Sequence, residues 1–222
     1  MRPDAIVFDL DGTLIDSAAD LAATLNLLLE ENNRTRLPVD AVRRMIGDGV
    51  AALVQRGFGA TGAAPDSATH PTLTRRFLEI YTDPTREHLA HPYPRVPETL
   101  AAFAAEGLAM GVCTNKAQVA TDLVLRDAGL IGFFAAIVGQ DTAPAPKPDP
   151  VHVRAVCEAL GNPGRPVMIG DSINDLRAGQ AAGLKVILVT YGYGTPEALA
   201  GADATIDRFE DLPAAIAALS CS

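Results

Sequence analysis

The stretch IVFDLDGTLIDS, residues 6–17, decides how this chain is read. Ile6, Val7 and Phe8 have the apolar continuity of a buried β-strand, and Asp9 and Asp11 follow at once. In extended backbone, residues i and i+2 project to the same side, roughly 7 Å apart. Like charges that close raise one pKa unless a cation is held nearby. The pair therefore asks for a metal, a proton-transfer role, or both.

Outward from this strand the texture falls into two parts. Residues 17–32 read as a helix, with Ser17 and Asp20 resembling a capping box and Leu21, Leu25, Leu28 and Leu29 at helical spacing. Further helical material is expected around 39–59 and 67–89, broken by Pro38, the Gly47/Gly49 pair and the GATGAAP loop, with no strand in 15–88. From His91 onward, short apolar runs alternate with helical patterns: MGVC (110–113), AAIVG (135–139), VMIG (167–170), KVILV (185–189) and ATI (204–206). This β-α-β grammar predicts an α/β fold with a Rossmann-like parallel sheet. The simplest organisation is a discontinuous core, residues 1–14 plus 92–222, with an all-helical cap inserted at 15–91. The last stretch, FEDLPAAIAALS, reads as an amphipathic terminal helix that serves packing.

Polar residues collect after the strands. Thr114 and Asn115 follow MGVC, Lys147 lies in the loop PAPKPDP, and Asp171 and Asp175 follow VMIG in GDSINDLRAG. In open parallel sheets, ligands bind beyond the carboxyl ends of the strands. Each group has a plainer reading: Asn115 as the N-cap of a helix over KAQVATDLVL, Asp175 as a capping-box partner of Ser172, Lys147 as a solvated loop lysine. Their joint occurrence at successive strand ends favours a shared purpose.

Phosphoryl transfer supplies one. It needs an in-line nucleophile, a cation to neutralise oxygen charge, and donors around the phosphoryl oxygens. Asp9 can attack phosphorus and form an aspartyl-phosphate. Asp11 can protonate the leaving alcohol and later take a proton from water. Mg2+ suits an all-oxygen set of Asp9, the Asp11 backbone carbonyl and Asp171. Thr114, Asn115 and Lys147 would hold the phosphoryl group.

The segments DLDGT, CTN, KP and GDSINDLRAG resemble the four signature motifs of the haloacid dehalogenase-like hydrolase superfamily, and they span Asp9 to Asp175. The resemblance implies Asp9 as nucleophile, Asp11 as acid/base, Thr114 and Lys147 as phosphoryl binders and Asp171 in the metal site. It also implies Asp175 as a residue orienting metal-bound water or Lys147. A helical cap between the first two motifs resembles the small-cap subgroup that acts on small soluble phosphates. Within it, VFDLDGTLIDSAADL, IGDGV and VTYGYG resemble phosphoglycolate phosphatases, which implies hydrolysis of 2-phosphoglycolate to glycolate and phosphate. Gly47 and Gly49 would then present backbone amides to the substrate carboxylate, with Arg43 as a helper. The alternatives are a sugar-phosphate phosphatase or mutase, a pyrophosphatase, a nucleotidase, or a non-catalytic phosphate-binding regulator.

The remaining features narrow the class. A net charge of −9 argues against a nucleic-acid partner or an anionic membrane surface. Residues 15–88 carry eight Arg and no Lys against ten acidic residues, a nearly neutral segment suited to facing an anion. No apolar run reaches the ~20 residues of a membrane span, and the start lacks a signal-peptide pattern. Cys113, Cys157 and Cys221 are scattered, which predicts a reducing, cytoplasmic setting. His70, His88, His91 and His152 read as surface or loop residues. The expected partner is a small phosphorylated metabolite, bound by a monomer or homodimer.

Overall fold

The computed structural model describes residues 3–219. Cys221 and Ser220, the last residue expected in the terminal helix, lie outside them.

A six-stranded parallel sheet forms the core, in the order β5-β4-β1-β6-β7-β8. These are β1 (Ala5–Phe8), β4 (Ala109–Cys113), β5 (Ala136–Val138), β6 (Pro166–Gly170), β7 (Lys185–Val189) and β8 (Ala204–Ile206). The first strand is central, paired on both edges, and all four of its residues are fully buried. Such a strand needs an unbroken apolar run rather than an alternating one, which is what AIVF provides. Its alternation shows in which layer each side chain joins. Ile6 and Phe8 pack with Leu100, Val124 and Ile216, while Val7 packs on the opposite face with Val153, Val156 and Leu176. The helices behind these layers are α5 (Val96–Ala105), α6 (Gln118–Asp127) and α10 (Leu212–Leu219) on one side, and α7 (Pro150–Ala159) and α8 (Ile173–Ala182) on the other. A short α9 (Pro196–Ala200) starts at Thr195, as its Thr-Pro-Glu sequence predicts.

Register places the chemistry. Phe8 lies level with Val112 on one neighbour and Ile169 on the other, so the next residues beyond all three strands emerge together. Asp9 NH donates to the Ile169 carbonyl at 2.8 Å, extending β1 to its last polar position. The chain leaves β1 toward β4 and β5 and returns on the other edge as β6. The switch in strand order therefore falls beside Asp9.

Between β1 and α5 lie four helices among the described residues: α1 (Ala18–Glu31), α2 (Val39–Arg43), α3 (Gly49–Ala60) and α4 (His70–Tyr81). Leu25, Leu28, Leu29, Val54, Phe58, Phe77 and Tyr81 bury their apolar faces against one another. Three local expectations change. Strands do occur at the segment's two ends: β2 (Ile15–Asp16) pairs antiparallel with β3 (His91–Pro92), bringing the crossing points together. The helix expected over 67–89 stops at Tyr81, because Asp83-Pro84 disfavours helical backbone before the proline. Asp20 makes no capping box with Ser17; it is fully buried and accepts from His88 at 2.9 Å and Arg86 at 3.4 Å. One histidine expected at the surface or in a loop lies instead in α7. His152 is fully buried, its Nε2 3.1 Å from the Val138 carbonyl, and burial holds its pKa down at about 4. His88 lies in a loop, as expected, with its side chain mostly covered beside Asp20. Among the described residues, no helix is long and apolar enough to cross a membrane.

Candidate active site

Asp9, Thr114, Lys147, Asp171 and Asp175 are all buried at the carboxyl ends of the central strands. Lys147 is the hub. Its ammonium donates to Asp9 Oδ1 at 2.8 Å, Asp175 Oδ1 at 2.6 Å and the Cys113 carbonyl at 2.6 Å. All three donors of the ammonium are thereby used. Burial alone would lower the Lys147 pKa, but Asp175 and Asp9 raise it above the ordinary lysine range and keep it charged. The solvated-loop reading of Lys147 does not hold.

Asp175 serves both roles that its position allowed. Its Oδ2 accepts from Ser172 NH at 3.0 Å, Ser172 Oγ at 2.7 Å and Asp171 NH at 3.2 Å, closing the start of α8, while Oδ1 holds Lys147. Asn115 is not the cap of α6, which starts at Gln118 with the Asp141 carboxylate accepting from Gln118 NH at 2.7 Å. The Asn115 carboxamide instead clamps Lys147, accepting from its NH and donating to its carbonyl, both at 2.9 Å. Its Nδ2 also donates to the Gly47 carbonyl at 3.0 Å, tying the helical segment to the core. Asn174 adds a second tie, donating to Gly47 O at 3.2 Å and to Asp48 Oδ1 at 2.7 Å.

The acidic cluster has room and reason for a divalent cation. Carboxylate oxygens of Asp9, Asp171 and Asp175 lie within 4.8 Å of one another, a hard all-oxygen donor set. Burial pushes Asp9 up to about 7 against the pull of Lys147, with Asp175 adding repulsion. Burial, then Asp175 and Asp9, push Asp171 well above the carboxylate range. One lysine thus does not balance three buried carboxylates. Because Asp175 spends both oxygens on protein donors, Asp9 and Asp171 are the pair free to face a cation. The backbone here is close-fitting. Gly12 sits at φ +90°, and a Cβ on it would fall 2.3 Å from Asp171 Oδ2, so glycine is required on both counts. The loop at 192–194 closes the other side, with Tyr193 NH donating to Asp171 Oδ2 at 2.5 Å. Cys113 behaves as the small hydrophobe expected of it, its thiol pushed up to about 12 by burial.

Over this floor lies a cavity of about 50 Å3, lined by Asp9, Asp11, Thr114 and Lys116 from below and by Gly47, Gly49, Leu53, Phe77 and Tyr81 from the helices above. Gly49 begins α3, no side chain caps that helix start, and Val50 also faces the cavity. Arg43 is elsewhere: its guanidinium pairs with Asp16 at 3.5 Å and covers the Tyr193 ring at 5.2 Å, so it does not line the cavity. Lys116, Tyr81 and Tyr193 are participants that sequence reading passed over. The CTNK run, with a lysine two residues beyond Thr114 at a strand end, was the available signal for the first.

Residues 6–189 match the haloacid dehalogenase-like hydrolase family. A phosphoglycolate phosphatase of Caulobacter vibrioides is 42% identical over 219 residues, covering 98% of this chain and 92% of its own. One from Rhodospirillum rubrum is 39% identical, covering 95% and 89%. The crystal structure of a predicted phosphoglycolate phosphatase from Haemophilus somnus 129pt superposes with a TM-score of 0.87 at 30% identity, over 97% of this chain and 98% of that one. With motifs, sheet order and buried carboxylates in agreement, the chain belongs to the haloacid dehalogenase-like hydrolase family.

Proposed function

We propose that this protein is a Mg2+-dependent phosphomonoester hydrolase acting on 2-phosphoglycolate through an aspartyl-phosphate on Asp9. The observation that carries this reading is the Lys147 bridge between Asp9 and Asp175, set beside Asp171 beneath a cavity lined by Asp9 and Asp11. In the first step an Asp9 carboxylate oxygen bonds to phosphorus as the bond to the leaving oxygen breaks, and Asp11 gives that oxygen its proton. In the second, Asp11 takes a proton from water as the water oxygen bonds to phosphorus and the Asp9 carboxylate departs. Thr114 holds a phosphoryl oxygen, Lys147 passes to the phosphoryl group the donor it otherwise gives Asp9, and Asn115 serves by fixing the Lys147 backbone. Asp9 and Asp171, with the Asp11 carbonyl, would hold a divalent cation, which would supply charge neutralisation on the phosphoryl oxygens.

The helical segment, 15–91, acts as a cap on the core formed by 1–14 and 92–222. Its amides at Gly47, Gly49 and Val50 approach the substrate end that carries no phosphate. Size supports a small substrate. The cavity is walled by Leu53, Phe77 and Tyr81 close above Asp9 and Asp11, a short reach from the phosphoryl end that suits a small leaving portion. The relatives named phosphoglycolate phosphatase match nearly end to end, which supports the same substrate here. A non-catalytic phosphate binder is disfavoured because the nucleophile, acid/base and phosphoryl-binding positions are all filled. The test is kcat/KM across phosphoglycolate, hexose phosphates, pyrophosphate and nucleotides, with and without Mg2+. Phosphoglycolate should lead the panel and require the cation; a higher value for any other class removes the substrate assignment.

A further inference from the structure

Lys116 occupies an unusual place for a lysine that the proposed mechanism does not use. It is 7% exposed and lines the cavity together with Leu53, Phe77 and Tyr81. Its ammonium lies 3.3 Å from both Asp11 oxygens and 4.5 Å from the centre of the Tyr81 ring. Asp11 is its one ion-pair partner among the described residues. Charge-assisted N–H···O bonds run at about 2.7–2.9 Å, so this contact is long and shared, and an ammonium has three protons to place. Lys147, with three contacts between 2.6 and 2.8 Å, shows what full satisfaction looks like in the same protein.

A second, independent observation points the same way. Tyr81 is fully buried and lines the cavity, yet among the described residues its hydroxyl has no hydrogen-bond partner of normal geometry, Lys116 being its neighbour. A buried hydroxyl left unpaired costs on the order of 1–3 kcal/mol, so a partner supplied by ligand is the economical explanation. Burial also pushes the Tyr81 pKa above the phenol range, which keeps its proton available for donation. Two donors with unfilled capacity thus face one apolar-walled space, next to the carboxylate assigned to the leaving oxygen.

We infer that Lys116, supported by the Tyr81 hydroxyl, is the specificity-determining site for an anionic group on the substrate's leaving portion, a carboxylate on the carbon bonded to the ester oxygen. The inference rests on the phosphatase reading above and deepens it. The α3 amides at Gly49 and Val50 offer dipoles to the same end of the substrate, whereas Lys116 offers a full charge. Substrates of equal size without that anion leave the buried ammonium with only its long contact to Asp11, which is where discrimination arises.

The experiment compares phosphoglycolate with ethyl phosphate, in which a methyl group replaces the carboxylate, on wild type, Lys116→Met, Lys116→Arg and Tyr81→Phe. Thermal melts and circular dichroism check the fold of each variant. The ratio of kcat/KM for phosphoglycolate over ethyl phosphate should fall roughly 10- to 100-fold in Lys116→Met, chiefly through KM. It should fall by a smaller factor in Tyr81→Phe and be largely restored in Lys116→Arg. A ratio unmoved in Lys116→Met, with both substrates slowed alike, overturns the inference and makes Lys116 a support for Asp11. Should Lys116→Met not fold, Tyr81→Phe, which removes a single oxygen atom, decides by the same ratio. A wild type indifferent between the two substrates would instead sink the phosphoglycolate reading, a separate failure.

Discussion

Removing divalent cations should make the stability of this protein fall as pH rises, because of Asp9. Its carboxyl moves from the ordinary 3.8 to about 7 in the fold, driven first by burial and held back by Lys147. A folded-state pKa above the unfolded one means that the native protein holds the proton more tightly. The associated stabilisation is complete below about pH 4 and is lost as pH climbs through about 7. The shift is worth on the order of 4 kcal/mol at 1.36 kcal/mol per unit. Asp171 is displaced in the same direction and adds to the effect. About 3 kcal/mol of the Asp9 contribution falls between pH 5 and pH 8, and for a chain of this length each kcal/mol moves Tm by ~2–4 °C, so the metal-free protein should lose ~5–11 °C over that range. Other groups titrate across that range, so the informative quantity is the difference between wild type and Asp9→Asn, melted in chelator at each pH. Excess Mg2+ should close the gap by binding the folded form alone. If the difference between wild type and Asp9→Asn does not change from about pH 5 to pH 8 in chelator, the carboxylate cluster is not charge-strained and the reasoning fails.

Two substitutions probe the same floor from other directions. Asp11→Asn keeps the shape of the side chain but cannot move a proton, so hydrolysis of phosphoglycolate should drop by about 10²–10⁴-fold. The loss should shrink for nitrophenyl phosphate, whose leaving group departs unprotonated; equal losses would remove Asp11 from the acid role. Gly12→Ala places a Cβ where Asp171 Oδ2 now lies, and at a backbone angle that favours glycine. Its Mg2+ requirement, titrated as activity against free cation, should shift at least tenfold higher, and an unchanged titration would show that Asp171 position is not critical.

The parts of the site that could be read from sequence are those whose signal is local. Asp9 and Asp11 follow a strand that is apolar without interruption, and Asp171 and Asp175 follow another, so periodicity and spacing place them without knowledge of packing. Lys147 could be named but not explained, since its burial depends on Asp9, 138 residues away. Asp20 was misread because Ser17 offers a plausible local partner, whereas the real ones, Arg86 and His88, come from the far end of the helical segment. The role of Lys116 is hidden from sequence in the same way: it depends on Tyr81 and Asp11, neither near it in the chain. The two-residue strands β2 and β3 are too short for any periodic signal to arise. Arg43 is expected beside the Gly47 and Gly49 amides because it is near them in sequence, but the ring of Tyr193 and the carboxylate of Asp16 draw it away from the cavity.

Transfer of the phosphoryl group to Asp9 is the step on which everything else depends. Single-turnover reaction with phosphoglycolate labelled in its phosphoryl group, quenched in acid and followed by peptide mapping, measures it directly. The expected result is an acid-stable, base-labile phosphoryl label on the peptide containing Asp9, formed with release of glycolate and absent from Asp9→Asn. Label on a different residue, or full turnover with Asp9→Asn, would contradict the assignment.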